Sequence, residues 1–363
     1  MKYLFFVQSE GRGHLTQSLS VAKALRKQGH EVIGVVMNQN PLRKIPDFFI
    51  EEISAPIHYI KSPYFLVNKE NDGINFSKSI FFNLLRLRSY IKSLKTINKL
   101  YSQYKPDVVI NFFEPLSGLY NLFFKQKVPC FSIGHQFFVE HPIFKRPEDR
   151  LKDYEFFTFY NHLTSYGSKA LLALSFTKEV DIPDKKLFVC PPLIRPDVKK
   201  LNPQKKDFIL SYMLNPGCFE ELKTWSTLHP DQKIEAFWDK KGETETKAFG
   251  SNLKFHPISG QKFLDLLQDC TTYISTGGFE SICEAAYLQK NILMVPTKNH
   301  YEQLCNTYDA IRANLVVTDS FFNIDLALEN QKNRSEEPGR LFKNWVDSES
   351  DKIINIITLK DSN

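Results

Sequence analysis

Residues 272–304, TYISTGGFESICEAAYLQKNILMVPTKNHYEQL, are the stretch around which the rest of the chain can be organised. Residues 273–275 end a β-branched and aromatic run, a Gly-Gly turn follows, and residues 279–288 have helical spacing. Residues 291–296 predict a buried strand, and Glu302 opens a further helix. In an open α/β sheet such loops gather at the carboxyl ends of the strands, where ligands bind. A helix N-terminus behind two glycines suits a phosphate group, although an ordinary βαβ unit without a ligand has the same pattern.

The composition predicts a soluble globular chain. Of its 363 residues 42% are hydrophobic and 24% are charged, which fits two domains of ordinary size. No apolar run approaches the roughly 18 residues of a transmembrane helix. Six scattered cysteines without C-x-x-C spacing indicate reduced thiols in a cytoplasmic protein. The net charge of +6 favours anionic ligands, such as nucleotide diphosphates or anionic lipid surfaces, and does not indicate nucleic acid.

The chain opens with a predicted strand, glycine loop, helix and second strand. The loop reads Gly11-Arg12-Gly13-His14, so it lacks the third glycine of G-x-G-x-x-G and has no G-K-[ST] sequence. His14 falls on the first turn of the helix, where the dipole favours a neutral, proton-accepting imidazole. Local capping or packing is the alternative interpretation of His14.

Polar residues also follow two later predicted strands. Glu114 comes after the strand at 106–111, and His135 and Gln136 come after the strand at 128–133. Because the carboxyl ends of parallel strands share one sheet edge, we expect these residues at the same edge as His14. Taken singly, each is more typical of a structural hydrogen-bonding group than of a catalyst.

Residues 41–104 contain the least regular part of the first half. Two short strands are predicted near 49–53 and 57–60, and one long helix over 77–104. That helix has Ile80, Leu84, Leu87 and Ile91 on one face and no acidic residue. The face could bind an anionic membrane surface, or it could pack on the core while the basic residues are solvated.

A proline-rich and polar segment near 195–206 predicts the domain boundary. We therefore expect one domain at 1–198, a second at 207–335, and a C-terminal helix within 336–363 that could pack back on the first domain. Strands alternate with helices in both halves, which predicts two doubly wound, Rossmann-like α/β domains facing a central cleft.

With both glycine loops placed, the chain resembles the GT-B glycosyltransferases, and in particular MurG-like proteins and a related uncharacterised group from bacteria and archaea. Gly13-His14 and Gly29-His30-Glu31-Val32 resemble the family's first motif. The second motif combines Ser/Thr-Gly-Gly, a helical glutamate, a strand ending Val-Pro and a Gln-containing helix start. It stands here as Ser275–Gly278, Glu284, Val295-Pro296 and Glu302-Gln303, followed by Asn306.

The resemblance implies a nucleotide-sugar donor bound by the second domain and an acceptor bound by the first. Glu284 would hold the ribose hydroxyls, the diphosphate would meet the backbone of the Gly-Gly turn, and Gln303 with Glu302 would contact the transferred sugar. His14 would be the general base, with Glu114 as a second catalytic candidate and His135 and Gln136 on the acceptor side. The full set of donor-side candidates is Gly13, His256, Ile258, Ser275, Thr276, Gly277, Gly278, Phe279, Glu280, Glu284, Glu302 and Gln303.

The sequence also departs from the family pattern. Thr16-Gln17 stands where MurG-like proteins have a proline-containing turn, and Leu214–Gly217 lacks the Gly-Ser-Gln-Gly run. No Asp-x-Asp motif occurs, so no cofactor and no essential metal is expected.

Three functions remain open. The first is an inverting glycosyltransferase that uses a UDP-sugar and works in the cytoplasm, either free or at the inner face of the membrane, on cell-envelope polysaccharide or glycolipid. The second is a nucleotide-sugar 2-epimerase of the same fold, which the Gly-Arg-Gly-His loop disfavours. The third is a non-catalytic nucleotide-sugar-binding protein.

Overall fold

The computed structural model describes residues 1–38, 45–64, 66, 76–213, 216–240, 242–319 and 323–358. Among these residues the chain forms two compact units. The first contains the residues up to Leu193 and those from Ser348 onward, and the second contains Ile194–Asp347. Each unit is built on its own seven-stranded sheet.

The first unit has an entirely parallel sheet in the order β3-β2-β1-β4-β5-β6-β7. Its strands are β1 (Lys2–Val7), β2 (Glu31–Asn38), β3 (Ile57–Ile60), β4 (Val108–Phe112), β5 (Cys130–Gly134), β6 (Ala170–Leu174) and β7 (Leu187–Cys190). Its helices are α1 (Arg12–Lys27), α2 (Asp47–Ile53), α3 (Phe76–Leu84), α4 (Leu87–Tyr104), α5 (Pro115–Phe124) and α6 (Leu151–Thr164). Short 3-10 segments lie at His135–Glu140, Glu148–Arg150 and Pro183–Lys185.

The second unit has the sheet order β10-β11-β9-β8-β12-β13-β14, in which only β10 is antiparallel to its neighbour. Its strands are β8 (Ile209–Tyr212), β9 (Ile234–Trp238), β10 (Lys247–Phe249), β11 (Leu253–Pro257), β12 (Thr272–Ser275), β13 (Asn291–Met294) and β14 (Val317–Thr318). The helices of the C-terminal half are α7 (Pro196–Lys199), α8 (Pro216–Leu228), α9 (Gly260–Asp269), α10 (Phe279–Tyr287), α11 (Tyr301–Arg312), α12 (Ile324–Asn333), α13 (Glu337–Ser348) and α14 (Lys352–Ile357).

The parallel strands have the continuous apolar sequences that a sheet covered on both faces requires. All of β4 and β5 is buried, as are β12 and β13 in the second unit. In the first unit β1 lies between β2 and β4, so the chain leaves β1 and β4 toward opposite sides of the sheet. Ligands of open α/β sheets bind at such a switch point, beyond the carboxyl ends of the strands.

The C-terminal segment is divided between the units, because α13 closes the second unit and α14 belongs to the first. The hydroxyl of Tyr3 on β1 donates to the carbonyl of Ile357, and Lys352 pairs with Asp181 at 3.0 Å. The predicted domain bounds stay a prediction, since these units are defined by compactness alone.

The structure confirms the predicted order of elements across 272–304 and corrects three other expectations. Residues 49–53 belong to a helix, not a strand, because Pro46 begins a helical turn there. The helix expected over 77–104 is two helices with a break at 85–86, and the one expected near the C-terminus is interrupted between Ser348 and Lys352. The predicted turn residues Leu214 and Asn215 lie outside the described residues.

The predicted apolar face of that long helix is also corrected. Leu84, Leu87 and Ile91 are more than half exposed, whereas Leu94 and Ile97 of α4 are buried in the core. None of the described helices is long and apolar enough to cross a membrane.

One helix pair in the first unit depends on a glycine. A Cβ at Gly118 on α5 would collide with the carbonyl oxygen of Leu163 and lie 2.7 Å from that of Thr164, both on α6. Backbone atoms cannot swing aside as a flexible side chain can, so α5 and α6 would have to separate.

We therefore expect Gly118→Ala to lower the free energy of unfolding by about 1–3 kcal/mol, because overpacking outweighs the gain in helix propensity. Gly260→Ala on α9 is the matched control, since nothing lies within 4 Å of a Cβ there. Thermal or urea unfolding should show a loss for Gly118→Ala and no loss for Gly260→Ala. Equal stability of Gly118→Ala and wild type would contradict the close helix contact.

Candidate functional site

His14 lies at the switch-point edge of the first unit. It sits on the first turn of α1, with Gly13 beside it and Gly11 as the N-cap residue. The ring is buried and stacks on Phe113, with centroids 5.8 Å apart and planes 21° apart. Phe113 follows β4 with a φ of 63°, so the backbone turn after β4 places its ring against the imidazole.

Both ring nitrogens of His14 make contacts with glutamine side chains. Nδ1 is 3.2 Å from Oε1 of Gln17, and Nε2 is 3.2 Å from Nε2 of Gln136. An amide oxygen can only accept, so Nδ1 carries the proton and Nε2 accepts from the Gln136 amide. His14 is therefore placed as a neutral imidazole with Nε2 as its basic nitrogen.

Glu114, which follows Phe113 in the chain, is also buried. Its Oε1 accepts from the backbone N–H of Leu116, 3.2 Å away, and from the hydroxyl of Ser62, so the carboxyl group caps α5. Burial raises its pKa to about 8, although these two hydrogen bonds oppose the shift. At neutral pH the carboxyl group is thus largely protonated, which suits a proton donor or a structural cap better than a base.

The other two first-unit candidates follow β5. The side chain of Gln136 contacts His14, and the backbone carbonyl of Gln136 accepts from Nδ2 of Asn161 at 2.8 Å. His135 is buried, and its ring packs against Phe176 with centroids 5.8 Å apart. The structure therefore brings Gln136 to His14 and places His135 among aromatic side chains.

In the second unit Glu284 is buried on α10 and forms a bidentate ion pair with Arg195. Nε of Arg195 is 2.5 Å from Oε1, and its second nitrogen is 2.6 Å from Oε2. Burial opposes the charge of Arg195, but the bonds to Glu284 and its negative charge together raise the pKa of the guanidinium. Arg195 precedes α7, so this pair fixes the first helix of the second unit to α10.

The two glycines of the turn after β12 have different roles. A Cβ at Gly277 would lie 2.6 Å from the carbonyl oxygen of Gln303, so this glycine permits the close approach of α11. Nδ2 of Asn306 donates to the carbonyl of Gly277 at 2.7 Å, and Oε1 of Gln303 accepts from the N–H of Thr297 at 2.8 Å. The turn and the start of α11 are thus one hydrogen-bonded unit.

Gly278 has no comparable steric need for glycine. Its φ is −71°, and a Cβ there would meet only Oγ of Ser281, 4.0 Å away. Within the described residues, no side chain caps the N-terminus of α10 that begins after it. Glycine here leaves the space before the helix N-terminus clear, and Thr276, Phe279 and Glu280 line the same turn.

Two donor-side candidates have side chains engaged in structural bonds. His256 is 2.8 Å from the Thr246 hydroxyl through Nδ1 and 2.5 Å from Glu235 through Nε2. The hydroxyl of Ser275 donates to the carbonyl of Tyr212 at 3.1 Å. A ligand would therefore meet the backbone at these positions and at Ile258, which follows β11. Glu302 lies on the first turn of α11, next to Gln303.

Sequence reasoning assigned no role to Arg195, Gln17 or Ser62. Each belongs to the site because it contacts a residue remote along the chain, or because it makes a side-chain contact that hydrophobic periodicity does not reveal. Asn306 was part of the quoted motif, and the structure supplies its contact with Gly277. Among the described residues, no cluster of three or more His, Cys, Asp and Glu side chains could hold a metal ion.

The chain belongs to the family described as Glycosyl transferase family 1, which matches residues 1–327. It is 26% identical over 322 residues to an uncharacterized glycosyltransferase of Methanosarcina mazei, covering 84% of this chain and 81% of that protein. MurG of Acinetobacter baumannii has a similar fold, with a TM-score of 0.58 at 14% identity over 99% of both chains. LpCGTa, solved in complex with UDP, gives a TM-score of 0.61 at 13% identity over 94% of this chain and 93% of that one.

These comparisons confirm the predicted GT-B class, with its two Rossmann-like sheets, and the resemblance to MurG-like proteins. The protein is a glycosyltransferase, and therefore an enzyme. The roles predicted for individual site residues stay predictions.

The raised pKa of Glu114 has a consequence for stability. Its carboxyl group keeps its proton in the folded state up to a pH of about 8 and loses it near 4.5 when unfolded. The stabilisation of the folded protein by the protonated Glu114 is complete below the pKa of the unfolded state. It is lost as the pH rises through the pKa of the folded state, at up to about 1.4 kcal/mol per pH unit. We expect Glu114→Gln, which cannot ionise, to gain stability relative to wild type between pH 5 and about pH 8.

The measurement is urea unfolding of both proteins at three pH values across that window. Glu51→Gln is the control, because Glu51 is exposed on α2 and its replacement should leave the pH dependence unchanged. Parallel pH profiles for wild type and Glu114→Gln would refute a buried, protonated Glu114.

Proposed function

We propose that this glycosyltransferase moves a sugar from a nucleoside diphosphate sugar, with UDP as the favoured nucleotide, to an acceptor hydroxyl. The observation that carries the donor assignment is the open N-terminus of α10 behind Gly278, on the same helix as the buried Glu284. The helix dipole and the first-turn N–H groups favour a diphosphate there. The UDP bound by LpCGTa, a protein of similar fold, supports the choice of nucleotide.

In this proposal the donor is held by one continuous surface of the second unit. The diphosphate meets the turn at 276–278, and Glu284 binds the ribose hydroxyls. Arg195 orients that carboxylate through two hydrogen bonds. Gln303 and Glu302 at the start of α11 contact the transferred sugar, and the backbone at 256–258 contacts the base.

The reaction we propose is a single displacement that inverts the anomeric carbon. The acceptor hydroxyl gives its proton to Nε2 of His14, its oxygen bonds to the anomeric carbon, and the bond from that carbon to the diphosphate oxygen breaks. The electron pair leaves with the nucleoside diphosphate. The N-terminus of α10 stabilises that developing charge, so the proposal requires no metal ion.

We also propose a peripheral location at an anionic membrane, on a surface that we call the α3–α4 surface. Its apolar side chains are more than half exposed, namely Phe81, Leu84, Leu85, Leu87 and Ile91. The same two helices carry five Lys or Arg residues and no Asp or Glu, and Arg86 lies in the break between them. Apolar side chains beside basic ones are the combination that binds the interface of an anionic bilayer. A cytoplasmic protein that acts on lipid-linked or polysaccharide acceptors would use such a surface.

The donor site is tested most cleanly at Gly278. Gly278→Val should fold normally, since the φ of −71° and ψ of 127° suit a β-branched residue and the space is open. Its methyl groups would occupy the position proposed for the diphosphate. We expect UDP affinity to fall at least about tenfold, or 1.4 kcal/mol, by calorimetry or thermal shift.

Gly260→Val at the start of α9 is the matched control, because it places the same side chain at the N-terminus of another helix of this unit, where nothing lies within 4 Å of a Cβ. It should bind UDP like wild type. Undiminished UDP binding by a folded Gly278→Val protein would contradict the diphosphate position. A panel of other nucleoside diphosphates with the wild type decides the base.

The α3–α4 surface is tested by flotation with liposomes. Wild type should float with vesicles containing phosphatidylglycerol at low salt and remain unbound with phosphatidylcholine alone, since both apolar and charge contacts are required. Phe81→Ser with Leu85→Ser should remove most of the binding. Phe123→Ser, which changes a similarly exposed residue on α5, should not. No flotation of wild type with anionic vesicles would end the membrane proposal.

A further inference from the structure

Gln136 is held in place by contacts of its backbone and of its side chain. Its backbone carbonyl accepts from Asn161, a fully buried residue on α6, at 2.8 Å. Its side-chain nitrogen lies 3.2 Å from Nε2 of His14. The side chain itself is buried within the 3-10 segment that follows β5. A glutamine in an exposed loop has no such restraint, so this position of the amide is specified by the fold.

Gly134, at the end of β5, makes that position possible. A Cβ at Gly134 would collide with Oε1 of Gln136. Its φ of 170° is extended backbone that any residue can adopt, so the need for glycine is purely one of space. The side chain of Gln136 therefore folds back over Gly134 toward His14.

The contact with Gln136 suits only one protonation state of the ring. An amide N–H can donate to the lone pair of Nε2, but it would oppose a protonated Nε2–H, which is also a donor. Gln17, at Nδ1, fixes the opposite nitrogen as the protonated one. Gln17, His14 and Gln136 thus form a chain of hydrogen bonds that is complete only when the imidazole is neutral.

We propose that Gln136 is a positioning residue that keeps His14 neutral and covers its basic nitrogen until an acceptor hydroxyl takes the place of the amide. The inference rests on the proposed role of His14 as base and deepens it. This arrangement makes deprotonation selective, because only a substrate hydroxyl that replaces the hydrogen bond from Gln136 to Nε2 can be deprotonated.

Other titratable groups belong to the elements around His14 and must be considered in any pH experiment. Glu10 and Arg12 precede His14 in the same loop and helix turn, Glu114 follows Phe113, and His135 precedes Gln136. Their influence is present in the wild type and in variants of Gln136 alike. A comparison between those proteins therefore isolates the amide.

The test is NMR of the full-length protein labelled with 15N at histidine, using long-range 1H–15N correlations across a pH titration. His14→Gln identifies the His14 signals among those of the nine histidines. In the wild type we expect the Nδ1–H tautomer, with Nε2 as a hydrogen-bonded acceptor. An Nε2–H tautomer of His14 would overturn the proposal.

Three variants should move the protonation midpoint of His14 upward. Gln136→Leu removes the amide, and Gly134→Ala displaces it while keeping Gln136. Gln136→Glu should move the midpoint furthest, by about one pH unit or more, because a carboxylate stabilises the imidazolium. Gln126→Leu, which removes an amide bonded to Tyr120 elsewhere in this unit, is the control and should leave the midpoint unchanged. A midpoint that is the same in wild type, Gln136→Leu and Gln136→Glu would contradict the proposal.

A kinetic arm uses the wild-type transferase reaction with any donor and acceptor pair that it accepts. The acid limb of the kcat profile should move upward in Gln136→Glu with the NMR midpoint, which a purely structural role of Gln136 would not produce. If no nucleotide-sugar is turned over, the NMR result still decides whether Gln136 controls His14. If turnover is found but neither the acid limb nor the midpoint responds to Gln136, this inference fails and the transferase reaction stands.

Discussion

The buried ion pair between Arg195 and Glu284 is the interaction on which the donor side of this protein depends. A carboxylate with 3% of its surface exposed is tolerated only with a partner that satisfies both oxygens, and the guanidinium does so with two short parallel bonds. Loss of Arg195 would leave the buried Glu284 carboxylate without its partner, at a cost of about 3–5 kcal/mol. The pair therefore fixes α7 against α10 and sets the orientation of the carboxylate proposed to bind ribose.

The same turn is constrained a second time from α11. Gly277 has no room for a side chain beside Gln303, and Asn306 holds its carbonyl. Gly278, one residue later, lies in open space. Of these two adjacent glycines only the first is required by packing, which a Gly-Gly pattern alone does not show. Gly134 has a comparable role in the first unit, because the absence of a side chain there leaves room for the Gln136 amide that contacts His14.

The sequence was sufficient wherever local pattern decides structure. The strand, turn, helix and strand of 272–294 follow from periodicity and the two glycines, and His14 was correctly expected on the first turn of a helix. Local sequence patterns gave wrong predictions where the tertiary environment decides secondary structure or burial. Residues 49–53 are apolar enough for a strand, but Pro46 starts a helix, and the apolar side chains of Leu84, Leu87 and Ile91 lie on the surface.

The contacts between site residues could not be predicted from the sequence, for a different reason. The Arg195–Glu284 and His14–Gln136 pairs join positions 89 and 122 residues apart, and a single sequence carries no signal for such pairs. Gln17 marked a departure from the family pattern, and only the structure shows that it bonds to His14, three residues earlier on the same helix.

The most direct test of the central claim is a crystal structure of the protein with UDP. The account predicts the diphosphate within hydrogen-bonding distance of the first-turn N–H groups of α10 and the ribose hydroxyls on Glu284. UDP bound elsewhere at full occupancy, with Glu284 still paired only to Arg195 and the turn at 276–278 empty, would contradict it.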